Sequence, residues 1–315
     1  MSSRYGKPEV MPFRDGKLGA FTMQFDDSIA ISHADRAIPM MNERGLVGTF
    51  FVNPGSERYQ ARRETWEVIC PKSGHELANH TWRHEGAKDY AEAEREIGDS
   101  SKHIWKLYPG QSKLLPFARG GATEWGITDE QVKELMRRYF LFRRPSLASI
   151  RDDAGTSATI LTYPQKAMDE HIWFPVHFHG ISADHLSTNQ EAFVKLLDFL
   201  VAHRDQLWVA TEGSAYRYQQ GYQALSDVSL ANESDSSFAV TVVCDATKVD
   251  TYDRPFTELY SEPLTVRVAV PDAWSEFTMR QDAHFGKYQA IDVDGRRVAQ
   301  FEVRPNLGPA VITKD

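Results

Sequence analysis

From Leu18 to about Tyr222, short apolar or β-branched runs alternate with amphipathic stretches, and this alternation constrains the fold more than any other feature of the chain. A helix-length crossover returns the chain to the same end of a sheet before the next strand begins, so the pattern calls for parallel pairing. The runs predict strands over Ala20 to Phe25, Val47 to Val52, Glu76 to Asn79, Leu114 to Phe117, Tyr139 to Arg143, Phe174 to Phe178 and Leu207 to Ala210. Helices are expected over Ala34 to Glu43, stopped by Gly45, and over Tyr90 to Tyr108, Asp129 to Arg138 and Gln190 to His203. In the last of these, Phe193, Leu196, Leu197 and Leu200 share one face at spacings of three and four. The expected fold class is α/β, a barrel of strands and helices or one with an incomplete ring.

After Tyr222 the period changes. Runs such as Phe238 to Val243 and Leu264 to Val270 alternate, with turn signals at Asn232 to Asp235 and at Asp294-Gly295. They predict a small antiparallel β-sandwich over 223–315. A chain of 315 residues exceeds what one core usually fills, about 250–300 residues, which agrees with two domains. The expected organisation is an N-terminal extension over 1–17, a barrel over 18–222 and the β-sandwich.

Three clusters fall where a barrel of this kind carries chemistry, at the C-terminal ends of strands and just beyond. The first is Phe25-Asp26-Asp27-Ser28. Two adjacent carboxylates repel, and a nearby cation would relieve that cost; taken alone, such a pair is more often a helix N-cap. The second runs from Gly74 to His84. If the chain turns helically after Asn79, the four-residue spacing puts His80 and His84 on one face within reach of one metal, although two hydrogen-bonded surface histidines would look the same. His75 reads as structural. The third is Trp173 to Ile181, where alternation sets His177 and His179 on one face and only His179 lies at the strand's end, before Gly180. His177 reads as a buried, satisfied histidine.

Composition limits the chemistry. The only cysteines, Cys70 and Cys244, fall in different expected domains, so neither a disulfide framework nor a cysteine zinc site is available, and any metal must be held by His and carboxylate. A net charge of −8 with no basic stripe argues against nucleic acid and anionic membrane surfaces as partners. No segment approaches the ~18 apolar residues of a membrane span, and the first residues lack the apolar core of a secretory signal. As written, the chain reads as cytoplasmic; with a leader upstream it would be secreted or periplasmic. Its oligomeric state is left open, a homo-oligomer included.

In this order, the segments resemble the NodB-homology polysaccharide deacetylases, carbohydrate esterase family 4, over roughly Lys17 to Tyr222. Thr22-Met23-Gln24-Phe25-Asp26-Asp27 is similar to that family's first motif and His80-Thr81-Trp82-Arg83-His84 to its second. Thr49-Phe50-Phe51-Val52, Phe178-His179-Gly180-Ile181 and Leu207-Trp208-Val209-Ala210-Thr211 resemble further landmarks. The resemblance implies a distorted barrel of seven or eight strands. It makes Asp27, His80 and His84 the ligands of a divalent metal, zinc with cobalt or nickel as alternatives, with Asp26 the general base and His179 the general acid. The family's third motif offers an arginine that would keep Asp26 ionised. Arg119, in Pro116-Phe117-Ala118-Arg119-Gly120-Gly121, is its counterpart at a different spacing, with a surface salt bridge as the other reading; Arg143 is a second candidate and a substrate contact. The aspartate partner of the acid histidine has no clear counterpart, since Asp169 lies near Trp173 in the wrong setting.

The function so implied is metal-dependent hydrolysis of acetyl groups from an N- or O-acetylated poly- or oligosaccharide, with Trp82 and Trp125 as aromatics that could stack on sugar faces. The His179-Gly180-Ile181 form also resembles relatives that open cyclic imides or ureides, so a cytoplasmic hydrolase of non-peptide C–N bonds is the alternative. A non-catalytic carbohydrate-binding protein is a third reading, opposed by the intact Asp26, Asp27, His80, His84 and His179.

Overall fold

The computed structural model describes residues 4–315; Met1 to Ser3, where the segment read for a leader begins, lie outside the described residues. The chain divides into two compact units, Leu18–Ala215 and a second made of Met1–Lys17 with Tyr216–Asp315. Residues 4–17 therefore do not form a separate extension. Glu9–Val10 pairs antiparallel with Leu264–Ala269, which places this segment in the C-terminal unit.

Leu18–Ala215 is the expected parallel sheet. Its strands run in the order Leu141–Arg143, Leu115–Phe117, Glu76–Asn79, Thr49–Val52, Gly19–Asp26, Trp173–Phe178 and Ala148–Ser149, with Leu207–Ala210 also pairing with Gly19–Asp26. Among the described residues the two end strands do not pair with each other, so the ring stays open. Every residue of Gly19–Asp26 is buried because the strand is central and covered on both faces. Its alternate residues Phe21, Met23 and Phe25 enter the apolar core, where Phe25 stacks on Phe50 and Phe178. Thr22, Gln24 and Asp26 take the opposite face, and the first two bind the carboxylate of Glu212.

Helix ends follow capping chemistry. Asp89 caps Tyr90–Leu107, Thr128 forms a reciprocal capping box with Gln131 ahead of Asp129–Arg138, and Asn189 caps Gln190–Ala202. The helix expected over Ala34 to Glu43 starts earlier, as a wide turn over Ala30–Ala37 that tightens into Ile38–Glu43. Tyr139 and Phe140 close a helix instead of opening a strand, with Phe140 left-handed at φ +52°. The helix Glu212–Gln223 has no sequence signal, because its two glycines and mixed polar and aromatic residues leave no apolar stripe.

In the other unit, two antiparallel sheets of four and five strands form, as the alternation predicts. Phe238 and Phe277 from one meet Phe301 from the other. No helix among the described residues is long and apolar enough to cross a membrane.

Candidate active site

Asp26 is the last residue of Gly19–Asp26, and Asp27 leaves the strand with its backbone in the left-handed region at φ +78°, followed by Ser28 at +51°. Thr81 and His84, on the loop after Glu76–Asn79, are also left-handed at +72° and +67°. Four non-glycine residues in this conformation within two short loops are costly, and they persist only where surrounding contacts over-determine the backbone. Buried Asn53 supplies such contacts: its N–H donates to Ser28 Oγ and its side-chain amide to the carbonyls of His80 and Thr81. Asn79 holds the Thr81 N–H, and Thr81 Oγ1 accepts from the His84 N–H.

The two loops bring Asp27, His80 and His84 together. Asp27 Oδ1 lies 3.2 Å from His80 Nε2 and 3.4 Å from His84 Nε2. A tetrahedral ion with bonds of about 2.0–2.1 Å separates its ligand atoms by roughly 3.3 Å, so these residues fit one divalent ion. The imidazole of His80 is oriented by its other nitrogen, since Nδ1–H donates to the Ala118 carbonyl at 2.7 Å and turns Nε2 toward Asp27. Burial pushes the Asp27 carboxyl up, but the hydrogen bond and charge of His80 outweigh it and hold the group at about 2.

Asp26 receives a guanidinium from Arg144, not from Arg119 or Arg143. Arg144 meets both carboxylate oxygens, with Nη2 to Oδ2 at 2.7 Å, and lies over the Phe51 ring at 4.4 Å from its centroid. Arg119 is half-exposed, 3.9 Å from Asp129 and stacked on Trp125, as its surface reading had it. Arg143 is exposed. Successive side chains at a strand's end point to opposite faces, so of two adjacent arginines only one turns inward. Burial alone would raise the Asp26 carboxyl; Arg144, with His80 and His179, overcomes it and holds it well below the usual carboxylate range.

His179 Nε2 stands 3.8 Å from Asp26 Oδ2. Burial lowers its pKa and the Asp26 charge draws it partly back. Its carbonyl accepts from Nε2–H of the buried His33, whose Nδ1 accepts from Ile29 N–H; burial pushes His33 down to about 4, so it stays neutral with that tautomer. Among the described residues, Nδ1 of His179 has no hydrogen-bond partner, and Asp169 is exposed on a helix beside Gln165. His75 is buried between Gly48 N–H and Asn42, while His177 is partly exposed and bonds Ser146 Oγ. A cleft of about 710 Å³ opens onto Asp27 and His84, lined also by Arg58, Arg83 and His185. Trp82 and Trp125 do not line it; Trp82 packs edge-on against His103 and Trp125 against the core.

Beneath the site, the wholly buried Glu212 accepts from Thr22 Oγ1 and Gln24 Nε2, both at 2.8 Å, and Gln24 Nε2 also donates to the carbonyl of Pro145 beside Arg144. Burial drives the Glu212 carboxyl up to about 8, beyond what the hydrogen bonds of Thr22 and Gln24 take back. An unfolded glutamate ionises near 4.5. The proton bound by the folded state therefore contributes stability that is full below about 4.5 and is lost as pH rises to about 8. Glu212→Gln is expected to flatten that slope in denaturant titrations at pH 5, 6.5 and 8, whereas an unchanged slope would show that Glu212 folds ionised.

Residues 15–137 match the sequence profile of the polysaccharide deacetylase family, a span that contains Asp26, Asp27, His80 and His84 in the arrangement above. Over that span the chain is similar to the polysaccharide deacetylases. The match ends before Arg144 and His179, which the fold returns to the same place. A gellan lyase from a Bacillus species is 24% identical over 99% of this chain, and the chain spans 13% of that protein's length. Among solved structures, the chain is similar to a peptidoglycan deacetylase from Bacillus subtilis, at 16% identity and a TM-score of 0.44 over 65% of this chain and 94% of that one. A family 4 acetyl xylan esterase from Clostridium thermocellum, in complex with a cobalt ion, gives 15% identity and a TM-score of 0.45 over 62% and 90%.

Proposed function

We propose that Leu18–Ala215 is a deacetylase domain that hydrolyses an acetyl amide or ester on an acetylated poly- or oligosaccharide, with Asp26 as general base and His179 as general acid. The observation that carries this reading is the Arg144-paired Asp26 between two histidine groups: His80 and His84 against Asp27 on one side, His179 on the other. Asp27, His80 and His84 would hold a divalent ion, zinc with cobalt or nickel as alternatives, whose chemistry is to polarise the acyl carbonyl and acidify a water. Asp26, kept ionised by Arg144, takes the proton of the attacking water. His179, 3.8 Å away, delivers a proton to the departing nitrogen or oxygen; its lowered pKa means a proton it holds is given up readily. Acetate and a free amine or hydroxyl leave. Arg58, Arg83 and His185 line the cleft through which a glycan would reach the site.

The test is acetate release from a panel of N- and O-acetylated oligosaccharides, with zinc or cobalt added and after chelation, beside ring-opening of simple cyclic imides. Acetate release is expected from one glycan class, falling to background with chelator and returning with metal. Imide opening without acetate would assign the domain to non-peptide C–N hydrolysis, and neither reaction would leave a carbohydrate-binding role.

A further inference from the structure

Asp27 Oδ1 faces His80 and His84, while its other oxygen, Oδ2, points to His185, whose Nε2 is 3.6 Å away. His185 sits outside every motif segment described above, on the loop after Trp173–Phe178, and that loop is closely built. Thr188 N–H donates to the Gly180 carbonyl and Ser182 N–H to the Thr188 carbonyl, closing its base. Ser32 Oγ donates to Asp184 Oδ2 at 2.7 Å with the Ala183 carbonyl as the other acceptor in reach at 3.0 Å, and Arg36 donates to the Ile181 carbonyl. Ser182, Asp184 and Leu186 are left-handed at φ +51°, +69° and +50°, and a side chain at Gly180 would run into the Ala183 carbonyl. A turn with three such residues, pinned from the helix that contains Ser32 and Arg36, holds its histidine in one place. The place is the mouth of the cleft, with the ring 5.2 Å from that of His179 and half of the side chain exposed.

A carboxylate that ligates through one oxygen is held in that pose by a donor on the other. Arg58, 3.8 Å from the same Oδ2, is the second donor nearby, but its side chain is more exposed and comes from a helix of a single turn. We propose that His185 is a positioning residue of the metal site: Nε2–H holds Oδ2 of Asp27 so that Oδ1 stays turned toward His80 and His84. This rests on the ligand set given under the proposed function and does not depend on which acyl group is cut. Because half of the His185 side chain lies in solvent, its replacement leaves the core intact.

Calorimetric titration of the full chain with zinc alone tests this in wild type, His185→Ala, His185→Gln and His80→Ala. One site per chain is expected in wild type. Its affinity should fall about 10–100-fold in His185→Ala, the range for loss of a partner to a ligand, and recover in His185→Gln, whose amide N–H can donate. If His80→Ala loses zinc while His185→Ala binds as wild type, the role of His185 is overturned and the ligand set stands. If both bind as wild type, the ligand set itself fails. Two ions in wild type and one in His185→Ala would overturn the positioning role, making Asp27, His179 and His185 ligands of a second ion instead.

Discussion

Asp26→Asn should keep its divalent ion and its fold while turnover drops about 10²–10⁴-fold, the range for removing a positioned general base. Asparagine keeps the shape and still accepts a hydrogen bond from Arg144, but it cannot take a proton from water. The variant also leaves the buried Arg144 guanidinium without a countercharge, so some thermal stability is lost, and the assay belongs below the midpoint of its melting curve. Metal content by elemental analysis and kcat on the best acetylated substrate check the prediction together. Wild-type turnover in the Asn variant would remove Asp26 from the mechanism.

Arg144→Ala should act in two ways. It strips the charge partner from a buried carboxylate, which typically destabilises by about 3–5 kcal/mol, a large share of what a domain of this kind has. It also reverses the balance at Asp26. Burial, the largest influence on that carboxyl, raises its pKa, and Arg144 is the main opponent. Without the guanidinium the pKa of Asp26 climbs, and a base must be deprotonated to work, so the acid limb of the kcat/KM profile should move to higher pH. In wild type that limb cannot come from Asp26 above pH 4, because Arg144 keeps it ionised there. A profile unchanged in Arg144→Ala would mean that the guanidinium serves only structure. Arg119→Ala is the control, since its guanidinium lies by Asp129 and Trp125 and should leave the profile where it is.

Much of the parallel sheet was legible because its central strand and most of its long helices carry a strong local period. The strand through Phe21, Met23 and Phe25, and the helix through Phe193, Leu196, Leu197 and Leu200, bury the faces their spacing marks. The antiparallel sheets after Tyr222 followed from alternation in the same way. Less was legible where the chain works against its local preferences. Helix Glu212–Gln223 has no apolar stripe, yet its first residue enters the polar interior beneath Asp26. The first 17 residues look like an extension, but Glu9–Val10 finds a strand more than 250 residues on.

At the site, the segments carrying Asp26, Asp27, His80, His84 and His179 announce themselves by residue type and by position at strand ends. Their partners do not. Arg143 and Arg144 are neighbours with the same side chain, and only the register at the end of Leu141–Arg143 decides which one turns toward Asp26. His33 and His185 sit in segments with no catalytic spacing, and each gains its meaning from a contact about 150 residues away in the chain. Trp82 and Trp125 carry the right chemistry for a sugar face but do not line the cleft at Asp27; Trp82 lies against His103 and Trp125 against the core.

The sequence by itself determined the fold class and the order of the main parallel strands, and marked the candidate site residues, since periodicity and residue type are local properties of a chain. Tertiary structure alone decided which guanidinium meets Asp26, which histidine faces the free oxygen of Asp27, and that Glu212 is buried. Each of these depends on the meeting of groups distant in sequence, at separations where an ångström or a single step of strand register separates contact from none.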